Sequence, residues 1–336
     1  MTESLRRQDR EEMGRFLLEL VDECCALGEE VRRELAGRSV SKQDRSPVTV
    51  GDFAIQVLVA HRLRERFAEE PLLAEESSDL LRENSELRQS VRHFVERYIP
   101  GIREEQMLEL LDRGAGSFSG EGWVLDPIDG TAGFLRGDQY AVALARLRDG
   151  KPEWGVLGCP RFAPRGRGDR DRPAGSIFLA VRGGGCRWYP WPEATSAEPI
   201  AARVSRNGDP GEAILARSVE ERHTDSGGIQ ALLRELGTGV HPVKLDSQVK
   251  YAAVACGEVD FLIRLLSPDR PNYREKIWDH AAGALVVEES GGRVTDLDGR
   301  PLDFGLGARL ERNRGLVASN GRLHEAVVAA VAALGL

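Results

Sequence analysis

The chain has 336 residues, 41% of them hydrophobic and 30% charged, with a formal charge of -8 at pH 7. That balance describes an ordinary soluble globular protein, long enough for a sizeable core in two domains or subdomains. It argues against binding a nucleic acid polymer, which needs a broad basic face, and no apolar run approaches the roughly 18 residues of a membrane span.

The N-terminus, MTESLRRQDREEMG, lacks the apolar core of a secretory signal. Five cysteines, an odd number without C-x-x-C pairs, speak against a disulfide framework and a structural zinc site, and the cytoplasm is the simplest location. From Arg10 to about Leu35, Met13, Leu17, Leu20, Val21, Cys24, Leu27 and Val31 recur at the spacing of a long amphipathic helix with no chemistry of its own. A polar, proline-bearing stretch from Lys42 leads into a second helix marked by Ile55, Val59, Leu63 and Phe67. Thr49 and Asp52 have a capping spacing, which alone accounts for Asp52 as an acid at a helix start.

Leu72 to Ser78 reads as a short strand ending in Glu75 and Glu76. Adjacent strand residues point to opposite faces, so one of the two faces any site at that end. In isolation such a pair is solvated surface. Residues 79 to 118 read as helix broken at Pro100-Gly101 and match no motif.

Trp123-Val124-Leu125 then reads as a buried strand, broken by Pro127 and Gly130. At the break stand Asp126 and Asp129, followed by Gly130 and Thr131. Carboxylates fixed at a strand end suit a hard cation such as magnesium, which takes oxygen ligands and keeps several waters. The same string also reads as a polar turn, with Asp126 in an Asx-type bond ahead of the proline.

Further strands are expected at Tyr140 to Leu147, on to Val156 after a turn at Asp149-Gly150, at Ser176 to Val181 and at Cys186 to Tyr189. Residues 161 to 174 are rich in Gly, Pro and Arg and fit a hairpin tip or a basic arm over an anionic substrate. A composition shift from Trp191 to Ser196 sets two domains, 1–195 and 196–336. The second alternates strands (Ala213 to Ala216, Val259 to Ile263) with helices (Gly228 to Leu236, Ser247 to Cys256), the pattern of an α/β layer. Ser247 reads as an N-cap whose helix start favours an anion, with the Lys250 charge one turn in. His223 lies in a polar loop, and Asp279 reads as the cap of a helix from Ala281 to Glu289 that stops at Gly291-Gly292.

D-P-I-D-G-T resembles the signature of the inositol monophosphatase superfamily, the lithium-sensitive, magnesium-dependent phosphomonoesterases. The longer run through G-F-L-R-G-D-Q-Y-A-V-A-L is similar to one branch, the 3′(2′),5′-bisphosphate nucleotidases. W-D-H-A-A-G, about 150 residues on, resembles the second signature of the superfamily. S-P-V-T-V-x-D, A-E-E (with Ala74 for the usual glycine), S-V-E-x-x-H and D-S-Q-x-K-Y extend the likeness over nearly the whole chain, apart from residues 79–118 and 161–174.

The resemblance implies a mixed α and β fold, a two-domain layered αβαβα sandwich. It implies hydrolysis of the 3′-phosphate of 3′-phosphoadenosine 5′-phosphate, with two or three magnesium ions on Glu75, Asp126, Asp129, Asp279 and the Ile128 carbonyl oxygen; a monomer is the separate expectation for the assembly. Thr131 would bond the attacking water, with Asp52 accepting from Thr131. His223, Ser247, Lys250 and Arg264 would hold the nucleotide, with Thr131 and Asp279 also facing the substrate. Ala132 departs from the lysine often found there, which removes a cation beside the phosphate. The sulfated analogue stays open as a substrate. An inositol phosphate or other sugar phosphate is the rival substrate, and a non-catalytic nucleotide sensor is the rival from another class. A sensor would be expected to lose one of Asp52, Glu75, Asp126, Asp129, Thr131 or Asp279, and all six are present.

Overall fold

The structure is a computed structural model that describes residues 3–35, 50–115, 118–165, 174–219, 225–267 and 269–336. Two helices open the chain, α1 (Glu3–Leu35) and α2 (Val50–Arg66). A seven-stranded sheet follows, with β1 (Leu72–Ala74), β2 (Gly122–Asp129), β3 (Ala141–Arg148), β4 (Lys151–Cys159), β5 (Gly175–Val181), β6 (Gly185–Trp191) and β7 (Ile200–Ala201) side by side in chain order. Only β1 and β2 run parallel within it. Helices α3 (Asp79–Glu83), α4 (Ser85–Val95) and α5 (Glu104–Asp112) fill the crossover between that parallel pair, and α6 (Thr131–Arg136) follows β2.

The second sheet holds β8 (Leu215–Arg217), β9 (Val243–Lys244), β10 (Phe261–Arg264), β11 (Arg293–Thr295) and β12 (Leu316–Ser319), in the order β11-β12-β10-β8-β9. Its helices are α7 (Ser226–Glu235), α8 (Val249–Ala255), α9 (Ala281–Glu289) and α10 (His324–Ala333).

Strand alternation sorts these elements into five layers. Trp123 and Leu125 of β2, with Val142 and Leu144 of β3, face Leu17, Val21, Phe53 and Val57 of α1 and α2. The residues between them, Val124, Ala141, Ala143 and Ala145, point the other way, into a core with Ala252, Val254, Leu285 and Val287 of α8 and α9. Leu262 and Ala318 of the second sheet close that same core. Beyond it, Leu215, Phe261 and Val317 pack on Ile229, Leu232, Val327 and Val331 of α7 and α10. The order is therefore αβαβα, as the resemblance implies.

Small residues set how close the middle layer comes to the first sheet. Three alanines of β3 face it, and a Cβ on Gly155 of β4 would stand 2.9 Å from the Ala282 carbonyl oxygen. This close approach brings the start of α9, and Asp279 just before it, down onto the end of β2.

Some elements differ from expectation. β2 does not stop at Leu125 but continues to Asp129, with a register shift against β3 between Asp126 and Asp129. Pro127 sits in that irregularity, where a missing N–H is tolerated. The helical stretch 79–118 resolves into three short helices, with Pro100-Gly101 in the turn before α5. β7 pairs with β6 through Trp188 and Ile200, so the first sheet extends past Trp191–Ser196. Among the described residues, no helix is long and apolar enough to cross a membrane.

Candidate active site

Parallel pairing of β1 and β2 puts their C-terminal ends at one edge. Ala74 is in register with Leu125, so Glu75 and Asp126 come next as neighbours, and their side chains share a hydrogen bond. Asp126 is 2% exposed, and burial pushes its carboxyl well above the usual range. The charges of Glu75, Asp129, Asp279 and Asp52 push it the same way. Four other acids expected from sequence thus act on Asp126, drawn from α2, the residue after β1, β2 and the turn ahead of α9.

The other members share this environment. Asp279 is raised by burial, then by Asp129 and Glu75. Asp129 is raised by burial, against the pull of Lys250 and of the Gln248 N–H, which donates to Asp129 Oδ2 at 2.6 Å. Glu75 keeps an exposed flank, yet desolvation and then Asp129 raise its carboxyl. Glu76 interacts with Asp52, and burial followed by Asp52 and Glu75 lifts it to about 8. Gln56, one turn after Asp52 on α2, fixes this strand end: its Nε2 donates to the Glu76 carbonyl at 2.7 Å and its Oε1 accepts from the Glu76 N–H at 3.0 Å.

Asp126 Oδ1 is buried and meets no hydrogen-bond donor among the described residues. A carboxylate oxygen left so is costly unless a cation completes it. Oxygen donors only, several of them carboxylates, are the set that suits a hard divalent ion. The donor chemistry fits such an ion, although no three of these acids among the described residues bring carboxylate oxygens all within 4.8 Å of one another.

Thr131 opens α6, and its hydroxyl donates to the Ile128 carbonyl at 3.4 Å. Gly130 before it has φ 86° and lies against Ser247, where a Cβ would come 2.8 Å from the Ser247 Cβ. Ser247 itself has a left-handed φ of 61°. That backbone keeps it out of the helix, which corrects the N-cap expectation: the cap residue is Gln248, and α8 begins at Val249. The Ser247 hydroxyl still accepts from the Val249 N–H at 3.2 Å.

Lys250 is buried, donates from Nζ to the Leu245 carbonyl at 3.4 Å, and is pushed down to about 8 by burial, with Asp129 acting against the shift. Arg264 on β10 donates to Glu275 at 3.4 Å. His223 lies outside the described residues, as do Thr49 and residues 166–173 of the basic stretch.

Several participants carried no assignment from sequence. Glu275, Asp279 and His280 have ligand atoms within 4.8 Å of one another. Burial works to raise Glu275, but the His280 hydrogen bond and Arg264 outweigh it and hold the carboxyl at about 2. Its charge is thus balanced within the protein, and Glu275 anchors the segment that carries Asp279. Lys276 places Nζ 4.6 Å above the Trp278 ring, beside Arg309 across a backbone bridge. Their position within E-K-I-W-D-H, flanking Asp279, was the only signal that could have found them.

These shifts fix the sign of a stability profile. Each raised acid binds its proton more tightly folded than unfolded, so the metal-free protein loses stability as pH rises from about 4 through the raised values. Thermal unfolding in chelator is expected to show a midpoint that falls from about pH 5 to 8, and saturating magnesium is expected to flatten it. A midpoint in chelator that holds steady over that range contradicts the clustered acids.

Comparison with known proteins shows the family and the fold. Residues 9–336 match the inositol monophosphatase family. A 3′(2′),5′-bisphosphate nucleotidase of Schizosaccharomyces pombe is 38% identical over 316 residues, covering 90% of this chain and 89% of its own. One of Dictyostelium discoideum is 39% identical over 317 residues, covering 92% and 93%. Among solved structures, the Thermotoga maritima IMPase superposes with a TM-score of 0.61 at 23% identity, covering 97% of both chains, a likeness of fold. The chain belongs to the inositol monophosphatase family, in the branch whose members are named 3′(2′),5′-bisphosphate nucleotidases.

Proposed function

We propose that this protein is a magnesium-dependent phosphomonoesterase that hydrolyses the 3′-phosphate of 3′-phosphoadenosine 5′-phosphate to AMP and phosphate. One observation carries the proposal: the five-acid cluster with its orphaned Asp126 oxygen stands directly beside a segment bearing a buried cation, Lys250. The names of the relatives support the choice of substrate.

Glu75, Asp126, Asp129, Asp279 and the Ile128 carbonyl oxygen would hold two or three ions. Bound there, magnesium supplies charge neutralisation at the phosphate and a water of lowered pKa. The Thr131 hydroxyl would accept a hydrogen bond from the attacking water and turn its own donor from the Ile128 carbonyl, which it meets here, to Asp52. Lys250 and Ser247, with Arg264 and His223, take the 5′-phosphate and the base. Lys276 offsets the cation missing at Ala132, since its charge acts on Asp279 and Glu75 at the site. Five unpaired cysteines support a reducing compartment such as the cytoplasm.

Phosphate release is to be compared for 3′-phosphoadenosine 5′-phosphate and inositol 1-phosphate, each with magnesium. A preference for the nucleotide of about 100-fold in kcat/KM, abolished by chelator, is expected from two charge-assisted contacts to the 5′-phosphate. Preference for inositol 1-phosphate would overturn the nucleotide pocket while keeping the acid site. Release from neither would favour a sensor.

A further inference from the structure

The segment from Asp246 to Tyr251 is wedged between the two stretches that carry the acids. A Cβ on Gly133 would stand 2.8 Å from Asp246 Oδ2, and one on Gly283 2.5 Å from the Tyr251 ring. Arg136 of α6 pairs with Asp246, and the Tyr251 hydroxyl lies 2.8 Å from His280 Nδ1.

Gln248 stands at the centre, 1% exposed. Its backbone N–H holds Asp129, while its side chain donates from Nε2 to the Trp278 carbonyl at 3.0 Å and accepts at Oε1 from the Gly283 N–H at 3.2 Å. Those last two groups lie on either side of Asp279. One buried residue thus grips an acid at the end of the first sheet and the backbone around an acid of the middle layer. Ser247 and Lys250 sit on the same turn of chain. A buried amide with both ends bonded has little freedom to shift without breaking a bond it cannot replace.

On the assignment of metal and 5′-phosphate sites made above, we propose that Gln248 is a positioning residue that couples them: a divalent cation on the acids and a phosphate at Ser247 and Lys250 each strengthen the binding of the other. Coupling of this kind is reciprocal, so either ligand reports it.

The test is calorimetric titration of AMP with and without saturating magnesium, and of magnesium with and without AMP. In the unmodified protein each ligand is expected to tighten the other about tenfold, within the usual range of such couplings. Gln248→Met fills the same space without the two side-chain bonds, and is expected to bring the coupling below about twofold while magnesium alone binds as before. Gln248→Glu keeps the acceptor for Gly283 and loses the donor to Trp278, and is expected to fall between the two. If the methionine variant does not fold, the glutamate variant decides alone. Parallel loss of both affinities with the coupling factor unchanged would mark a merely structural residue and overturn the proposal. An unmodified protein that binds both ligands without coupling overturns it too, yet leaves the nucleotidase assignment standing. Binding of neither ligand overturns both.

Discussion

Asp126→Asn is expected to remove turnover, on the order of 10³-fold or more in kcat, while leaving the fold intact. The side chain has nearly the same shape, and Asp126 lies at the focus of four other acids. An amide there cannot supply the second anionic oxygen that a divalent ion needs. The same change relieves like-charge repulsion in the metal-free state, so the melting temperature in chelator should rise by a few degrees. Magnesium should then add less to the midpoint than it does in the parent protein. Opposite signs for activity and metal-free stability are the mark of an acid kept for a ligand. Full activity in the variant would sink the metal assignment.

Lys250→Met carries the second large effect. Methionine keeps the buried apolar stem and removes the cation. A hydrogen bond to a charged group contributes about 1.5–3 kcal/mol, so kcat/KM for 3′-phosphoadenosine 5′-phosphate should fall about 10- to 150-fold. The loss should appear mainly in KM, because the 5′-phosphate is held equally in ground and transition states. Inositol 1-phosphate, which has no second phosphate, should be hydrolysed as before. Because Lys250 titrates at about 8, KM for the nucleotide in the parent protein should climb as pH passes that value. An equal loss on both substrates would place Lys250 in the chemistry rather than in recognition.

The acids stood out because they stand in strings whose order and spacing are distinctive, and in the structure Asp52, Glu75, Asp129 and Asp279 all act on Asp126. The outer helix α1 was legible for a different reason. It has one wet and one dry face, and that asymmetry writes a period into the residues.

The middle layer was legible from the ends of its helices, Ala281–Glu289 among them, and not from their faces. All seven residues of α8 are buried, as are seven of the nine in α9, so no polar face marks their rotation. β7 and β9 are two residues each, too short for any pattern. Pro127 looked like a stop because a proline breaks a regular ladder, whereas here it occupies the irregular stretch of β2. Gln248 stood inside D-S-Q-x-K-Y, but that string gave no sign of what its side chain bonds. An amide in the middle of a polar string tells nothing about two backbone groups some 30 residues away that it will bond.

Gly130, Gly133 and Gly283 leave no room for a side chain against Asp246–Tyr251. An evolving lineage cannot therefore reshape this wall one residue at a time, because the first added methyl group would push on the stretches that carry the clustered acids. New substrates must be reached from the rim, through exchanges at half-exposed positions such as Ala132, Arg264 and Lys276. On the proposed function, change in selectivity and preservation of chemistry then fall to different residues of one site.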